Sequence, residues 1–128
     1  MLVMKLKINI TGVQEVVGAK QTARMILFDG TAESDFFNGV IEPGGVDTQI
    51  DNRDGTGTLS ARYSLHGTDR EGNAARVFIE NNAEYGKATN PRVWTDSPAL
   101  RFLETAPLRG HIMDEDGQLT ILIETVEA

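Results

Sequence analysis

The stretch that decides the fold runs from Thr58 to Asn82 and reads TLSARYSLHGT, DREGN, AARVFIENN. Positions 59, 61, 63 and 65 are apolar or aromatic, while the even positions between them are polar, and this period of two predicts a strand with one buried face. Val77 and Ile79 continue the odd apolar set after the turn. Only a register that pairs odd with odd residues keeps both apolar sets on one face, and it requires an odd number of loop residues.

Three loop residues satisfy that condition, namely Arg70, Glu71 and Gly72. A three-residue hairpin loop commonly ends in a residue with a left-handed backbone, which glycine adopts without steric cost, and Gly72 stands at that position. The pattern therefore predicts an antiparallel hairpin with a defined register. Its predicted pairs are Arg62 with Glu80, Ser60 with Asn82, and Tyr63 with Ile79.

Alternation of the same kind recurs along the chain, with turn residues between the alternating segments. The predicted strands are Leu2 to Ile10, Thr22 to Phe28, Phe36 to Glu42, Val46 to Asp51, Thr58 to Thr68, Ala75 to Asn82, Arg92 to Thr95, Gly110 to Asp114 and Gln118 to Val126. The predicted turns are Asp29-Gly30, Pro43-Gly44-Gly45, Asp54-Gly55, Glu71-Gly72 and Asp116-Gly117.

The spacing of these segments predicts an all-β protein. Helical periodicity is weak everywhere except from Ser97 to Glu104, where Pro98 is suited to begin a helical turn. Successive antiparallel strands must close or split into two sheets, because a long open sheet leaves unpaired edges. We predict a single up-and-down β-barrel of about eight strands, with a β-sandwich as the alternative. One domain is expected to span residues 1–128.

Composition excludes several classes of protein. The 128 residues include no cysteine, which removes disulfides, thiolate metal sites and cysteine nucleophiles and fits a reducing cytoplasm. The formal net charge of -7 and the scattered basic residues argue against nucleic acid as a partner. The first residues interleave Lys5 and Lys7 with apolar residues, unlike a signal peptide, and the few aromatic residues argue against a membrane barrel.

Several motifs occur in the order typical of one protein family. They are GVIEPGGVDTQ from Gly39 to Gln49, LSARY from Leu59 to Tyr63, Thr68-Asp69 with Gly72 following, and VFIEN from Val77 to Asn81. Together they resemble the bacterial and fungal family catalogued as domain of unknown function 3237. The resemblance implies an antiparallel β-barrel whose interior could hold a small molecule, with no established activity.

Asp47 and Gln49 are the first candidate ligand-binding residues. They share one face of a strand just after the Pro-Gly-Gly segment, and a carboxylate beside an amide suits a ligand with hydroxyl or carbonyl groups. The alternative is that Asp47 caps its own turn while Gln49 faces solvent.

Arg62 and Glu80 form the second candidate set, because the predicted register places them opposite each other. Inside a barrel, Arg62 would anchor a carboxylate or a phosphate. On the outer face, the two residues would be an ordinary cross-strand ion pair worth about 0 to 1 kcal/mol. The sequence leaves both positions open.

Asn81 and Asn82 close the predicted strand and form the third candidate set. Their amides could pair with a ligand, or they could simply begin the loop that runs to Pro91. Tyr63 and Trp94 could stack on a ring, although aromatic residues on an apolar face are more often part of the core.

No metal or cofactor is expected. His66 and His111 are the only histidines, and neither has a second imidazole or a carboxylate at a spacing typical of metal ligands. No phosphate-binding loop, dinucleotide fingerprint or nucleophile elbow occurs.

Two functional hypotheses follow. In the first, the lumen binds a small polar metabolite, and Asp47 or Glu80 transfers a proton in a lyase or isomerase reaction. In the second, the chain is a non-catalytic binding or assembly module with a packed interior. Phe36 and Phe37 are adjacent and point to opposite faces, so one of them could form an outer apolar surface, which favours a homo-oligomer.

Overall fold

The structure, a computed structural model, describes residues 1–126, and most of these residues lie in antiparallel strands. The strands are β1 (Leu2–Val17), β2 (Gln21–Glu33), β3 (Phe37–Asn52), β4 (Gly57–Asp69), β5 (Ala74–Glu84), β6 (Arg92–Thr95), β7 (Leu108–Glu115) and β8 (Gln118–Thr125). A short 3-10 helix, Pro98–Glu104, lies between β6 and β7. Within the described residues, no helix is long and apolar enough to cross a lipid bilayer.

All eight strands belong to one curled sheet with the order β6-β5-β4-β3-β2-β1-β8-β7. Each strand from β1 to β6 pairs with its neighbour along the chain, and β1 also pairs with β8, which brings the two ends of the chain together. The two edges of the sheet approach each other at a bridge between Thr89, which precedes β6, and Gly110 of β7. The predicted up-and-down barrel is therefore confirmed as a partly open barrel, and the sandwich alternative is wrong.

The hairpin from β4 to β5 has the predicted register. Arg62 pairs with Glu80, Ser60 with Asn82, and Tyr63 with Ile79. The loop residue Gly72 has a φ of 82°, the left-handed conformation that the three-residue loop requires.

Two predicted turns lie within continuous strands instead. Asp29-Gly30 lies inside β2, and Pro43-Gly44-Gly45 lies inside β3. The register shifts between Phe28 and Gly30 and between Ile41 and Val46, so both segments are irregularities that bend the sheet. Two of the predicted strands thus merge into β3, and the sheet has eight strands rather than nine.

The lumen is packed solid at the end of the barrel where the 3-10 helix lies, which we call the helix end. The helix inserts Leu100 and Leu103 among side chains from the strands, and both leucines are buried. Ser97, just before the helix, donates a hydrogen bond from Oγ to Asp69 Oδ2 at 2.8 Å, and this bond ties the helix to the turn after β4. Other fully buried residues of the core are Met4, Leu6, Phe37, Leu65, Val77, Ile79 and Ile123.

Candidate functional site

A cavity of about 200 Å³ occupies the opposite end of the lumen, which we call the cavity end. Most of its wall is apolar, and three polar side chains on β3 and β5 interrupt that wall. The apolar lining residues are Ile8, Ile10, Ile26, Phe28, Leu59, Ala61, Ile112, Leu119 and Ile121. The polar ones are Asp47, Gln49 and Asn81. An apolar pocket with a few polar groups is the usual form of a small-molecule site.

Asp47 and Asn81 lie in one transverse row of the sheet. Asp47 pairs with Ala61 on β4, and Ala61 pairs with Asn81 on β5, so all three side chains point into the lumen. Adjacent strands lie about 4.8 Å apart, which puts the two polar residues roughly 10 Å apart at Cα. The small side chain of Ala61 leaves the space between them open to the cavity.

Both polar residues of this row have an unsatisfied oxygen. Oδ1 of Asp47 and Oδ1 of Asn81 are buried without a hydrogen-bond partner among residues 1–126. Buried polar atoms in folded proteins are normally paired, and an unpaired one calls for an explanation such as a bound ligand or a functional role. These two atoms are on the row that faces the cavity, where a ligand could satisfy both.

Burial raises the pKa of Asp47 above its ordinary value of 3.8. Hydrogen bonds from the Gln49 side chain and from the Ser60 backbone act against this shift but do not cancel it. The bond from Gln49 Nε2 to Asp47 Oδ2 measures 2.9 Å. Asp47 is therefore a partly desolvated carboxyl group with one oxygen held by Gln49 and the other buried without a hydrogen-bond partner.

Gln49 is held in the orientation that donates to Asp47. Its Oε1 accepts a bond from Arg24 Nη1 at 3.1 Å, and the Tyr85 oxygen lies 3.4 Å away. Because arginine can only donate, the oxygen of the amide faces Arg24 and the nitrogen faces Asp47.

Arg24 has two carboxylate partners of its own. It contacts Asp51 at 2.8 Å and Glu15 at 2.9 Å. The bond from Arg24 is the largest cause that lowers the pKa of Asp51, and a bond from Tyr85 adds to it. Burial and the neighbouring Asp51 raise the pKa of Tyr85 to about 12, so its hydroxyl stays protonated and donates to Asp51 Oδ1 at 2.5 Å.

Gly57 makes room for Tyr85 at the rim of the cavity. A Cβ atom at this position would lie 2.4 Å from the Tyr85 ring and 2.4 Å from the Ile50 carbonyl oxygen. The Tyr85 backbone N–H donates to the Gly57 carbonyl at 2.9 Å, which fixes the ring over the glycine. The hydroxyl thereby reaches Asp51 and Gln49 from the far side of β4.

Arg24, Asp51 and Tyr85 also belong to this site, and none of them was predicted from the sequence. A signal existed for Asp51, because Asp47, Gln49 and Asp51 share one parity along β3. Arg24 pairs directly with Gln49 across β2 and β3, but that register depends on the bulge at Gly30. Tyr85 lies beyond the predicted end of its strand, so alternation did not place it.

Arg62, Glu80 and Asn82 lie outside the lumen. Arg62 Nε contacts Glu80 Oε2 at 3.1 Å on the outer face, where the Arg62 side chain is 60% exposed and Glu80 is 15% exposed. Glu80 also contacts Arg92 at 3.5 Å, and Asn82 is exposed. The hypothesis that Arg62 and Glu80 anchor a ligand inside the barrel is therefore wrong about their position. Their even positions alternate with the inward residues of β4 and β5.

The two aromatic candidates, Tyr63 and Trp94, lie on opposite sides of the barrel wall. Tyr63 is buried below the cavity and packs edge-on against Phe28, with ring centroids 5.3 Å apart, as expected of a core residue. Trp94 lies on the outer face, 41% exposed, with Phe78 on one side and Arg92 over its ring. The expectation of a core position is wrong for Trp94, since β6 is an edge strand.

Phe36 and Phe37 do face opposite sides, but Phe36 is not a free apolar surface. Phe37 is fully buried, and Phe36 is half-buried against Phe102 of the 3-10 helix, with ring centroids 5.4 Å apart. Arg70 covers the same ring at 4.8 Å. The apolar surface that favoured a homo-oligomer is thus largely covered within the chain.

His66 and His111 each contact one glutamate on the outer surface, at 3.1 Å to Glu42 and 3.5 Å to Glu124. In the part of the chain that the structure describes, no group of three or more histidine, aspartate or glutamate side chains is arranged to hold a metal ion.

Comparison with known proteins shows the fold and a relative without an established function. No family model matches the chain. It is 35% identical over 97 residues to a protein of Clostridium acetobutylicum named UPF0311 protein, an alignment that covers 71% of this chain and 58% of that protein. The chain thus matches little more than half the length of this relative.

Solved structures share the architecture. A β-barrel-like protein from Acinetobacter baumannii superposes with a TM-score of 0.79 at 18% identity, covering 98% of this chain and 94% of the other. A structure described as an enzyme from Penicillium herquei superposes with a TM-score of 0.74 at 15% identity, covering 97% and 92%. At these identities the likeness establishes the barrel fold alone.

Proposed function

We propose that this protein binds a small, mainly apolar molecule at the cavity end of its lumen, through one polar group held between Asp47 and Asn81. The observation that carries the proposal is the pair of buried, unpartnered oxygens on these residues, which lie on one row beside the cavity. A ligand group with at least two donor hydrogens would satisfy both oxygens, and its remaining atoms would lie against isoleucine, leucine and phenylalanine side chains.

The cavity also bears on the size and polarity of the ligand. Its volume of about 200 Å³ lies below the usual range of roughly 300–1,000 Å³ for ligand pockets, so the ligand is small. The apolar wall favours a ligand less polar than the metabolite that the sequence alone suggested. The alternative of a packed interior describes the helix end of the lumen and not the cavity end.

Proton transfer at Asp47 is a second candidate function, as a lyase or isomerase would need. Its raised pKa brings the carboxyl closer to the working pH, the property expected of a general acid or base. Glu80 is on the outer face and is set aside for this role. The description of the Penicillium herquei structure as an enzyme is consistent with chemistry on this fold.

The sequence motifs between Gly39 and Asn81 favour membership of the family catalogued as domain of unknown function 3237.

Adjacent asparagines supply a matched test of the binding site. Native mass spectrometry of freshly purified protein is expected to reveal a co-purifying small molecule in the wild type and in Asn82→Ala, whose side chain is outside the barrel. Asn81→Ala and Asp47→Ala should lose that molecule, since each removes a polar group that faces the cavity. Equal retention by all four proteins would contradict the proposed site.

A further inference from the structure

We infer that the polar group of the ligand is a protonated amine, so that the cavity selects a small cationic amphiphile. This inference rests on the proposed function and adds the charge of the ligand to it. It rests on the uncompensated charge of Asp47, on the unsatisfied acceptor oxygens beside the cavity, and on the opening through which a ligand can enter the cavity.

Asp47 is the only charged residue that lines the cavity, and none of the lining side chains from the described residues is cationic. A carboxylate taken out of water needs an opposite charge or a full set of hydrogen bonds. The donors to Asp47, the Gln49 side chain at Oδ2 and the Ser60 backbone, are neutral, and Oδ1 remains unpaired. The site therefore contains a partly buried negative charge that no neighbouring side chain neutralises.

The nearest cation does not compensate this charge. Arg24 reaches the site only through the neutral amide of Gln49, and its guanidinium is shared between Asp51 and Glu15. One arginine and two carboxylates sum to a net charge of minus one. Tyr85, the other titratable group facing this network, stays neutral. The whole polar side of the lumen is thus negative, so it favours a cation and repels an anion.

The unsatisfied atoms are acceptors. Asp47 Oδ1 and Asn81 Oδ1 both require a donor, and an ammonium group carries three donor hydrogens as well as a positive charge. A hydroxyl group has one hydrogen to give and would leave the carboxylate without a counter-charge. A carboxylate or phosphate would place like charges together. An amine is the common small-molecule group that meets both requirements.

The cavity opens to solvent beside Ile10 and Ile112, which line it and are also more than half exposed. An amphiphile can enter here with its apolar body following its ammonium group to the polar row. The net charge of -7 raises the local concentration of small cations around the protein.

Two probes with one apolar body test the charge of the ligand. We would titrate phenethylamine and phenethyl alcohol into the wild-type protein at neutral pH, measure affinity by isothermal titration calorimetry, and map the site by chemical shift changes. The amine should bind at least about tenfold more tightly than the alcohol, because a close buried ion pair contributes that much or more. Hydrocinnamate, the anionic counterpart, should bind most weakly of the three.

Variants and pH separate this inference from the proposed function. Asp47→Asn should remove the preference for the amine, while Glu80→Gln, which neutralises an outward carboxylate, should leave it unchanged. In the wild type, the affinity for the amine should fall as the pH drops through the raised pKa of Asp47, and the affinity for the alcohol should change less.

Two outcomes overturn the inference in different ways. If the alcohol binds as tightly as the amine and binding still depends on Asp47 and Asn81, the cationic ligand is wrong and the proposed site stands. If no probe shifts the resonances of residues that line the cavity, or if Asp47→Asn binds all three as the wild type does, both fail.

Discussion

The two ends of the lumen are made by the same strands but differ in packing. At the helix end, Leu100 and Leu103 fill the space between the strands, and the core is closed. At the cavity end, the small residue Ala61 faces inward, and a polar row replaces the apolar one. We infer that the helix end supplies most of the stability and leaves the cavity end free to carry unpaired polar atoms that a packed core would not tolerate.

The largest expected effect is the cost of removing apolar volume at each end. Leu100→Ala should destabilise the protein by about 2 to 5 kcal/mol, since it leaves a void among fully packed neighbours. Leu119→Ala should cost less, because this half-buried residue already borders a cavity. Urea unfolding of both variants provides the measurement, and equal losses would show that the two ends are packed alike.

The second effect is a smaller change in the free energy of unfolding. It concerns two carboxylates at the cavity end whose pKa values shift in opposite directions. The folded-state pKa of Asp47 is raised, so its ionised form costs stability at neutral pH, and that cost disappears as the pH falls through its folded pKa toward 3.8. The pKa of Asp51 is lowered, so it contributes stability above pH 3.8 that is lost as the pH falls through its folded value.

Asp47→Asn should therefore melt at or above the wild-type temperature at neutral pH, and Asp51→Asn should melt below it. Thermal unfolding from neutral to acidic pH should bring each variant closer to the wild type as the pH falls, from opposite sides. A neutral-pH loss of stability in Asp47→Asn as large as that in Asp51→Asn would sink this assignment.

A third effect tests the link between Tyr85 and the polar network. Tyr85→Phe keeps the ring over Gly57 but removes the hydroxyl that contacts Asp51 and Gln49. The pKa of Asp51 should then rise toward its ordinary value, which a carboxyl-detected NMR titration can follow. Tyr63→Phe is the matched control, because Tyr63 lies below the cavity and should leave the Asp51 titration where it is, whatever its effect on stability.

The parts of the fold that were predictable from sequence are those where alternation, loop length and turn residues all predict the same structure. The β4 to β5 register followed from the alternation of Leu59 to Leu65, the odd loop length and Gly72. The same alternation separates Arg62 from Tyr63 and Asn81 from Asn82, and the structure shows that Arg62 and Asn82 are the outward members. The Pro43-Gly44-Gly45 segment misled because a turn and a bulge use the same residues.

The polar network was harder to predict, because its members meet only after four strands, β2 to β5, have paired. Arg24 reaches Gln49 through a register that includes a bulge, and Tyr85 crosses Gly57 from the end of β5. Neither contact depends on a local pattern in the sequence. By contrast, the shared face of Asp47 and Gln49 depends only on their parity along one strand, which is why that pair was found.

The smallest expected effect belongs to the outer face, where Arg62 and Glu80 form an ion pair that faces solvent on the Arg62 side. Arg62→Ala should change the free energy of unfolding by no more than about 1 kcal/mol, since exposed pairs are weak. Arg92 also contacts Glu80 at 3.5 Å, so the carboxylate keeps a cationic partner when Arg62 is removed. A double-mutant cycle of Arg62→Ala with Glu80→Ala should therefore show coupling of only a few tenths of a kcal/mol in urea unfolding. Coupling of about 3 kcal/mol would be typical of a desolvated pair and would falsify the outward position of Arg62.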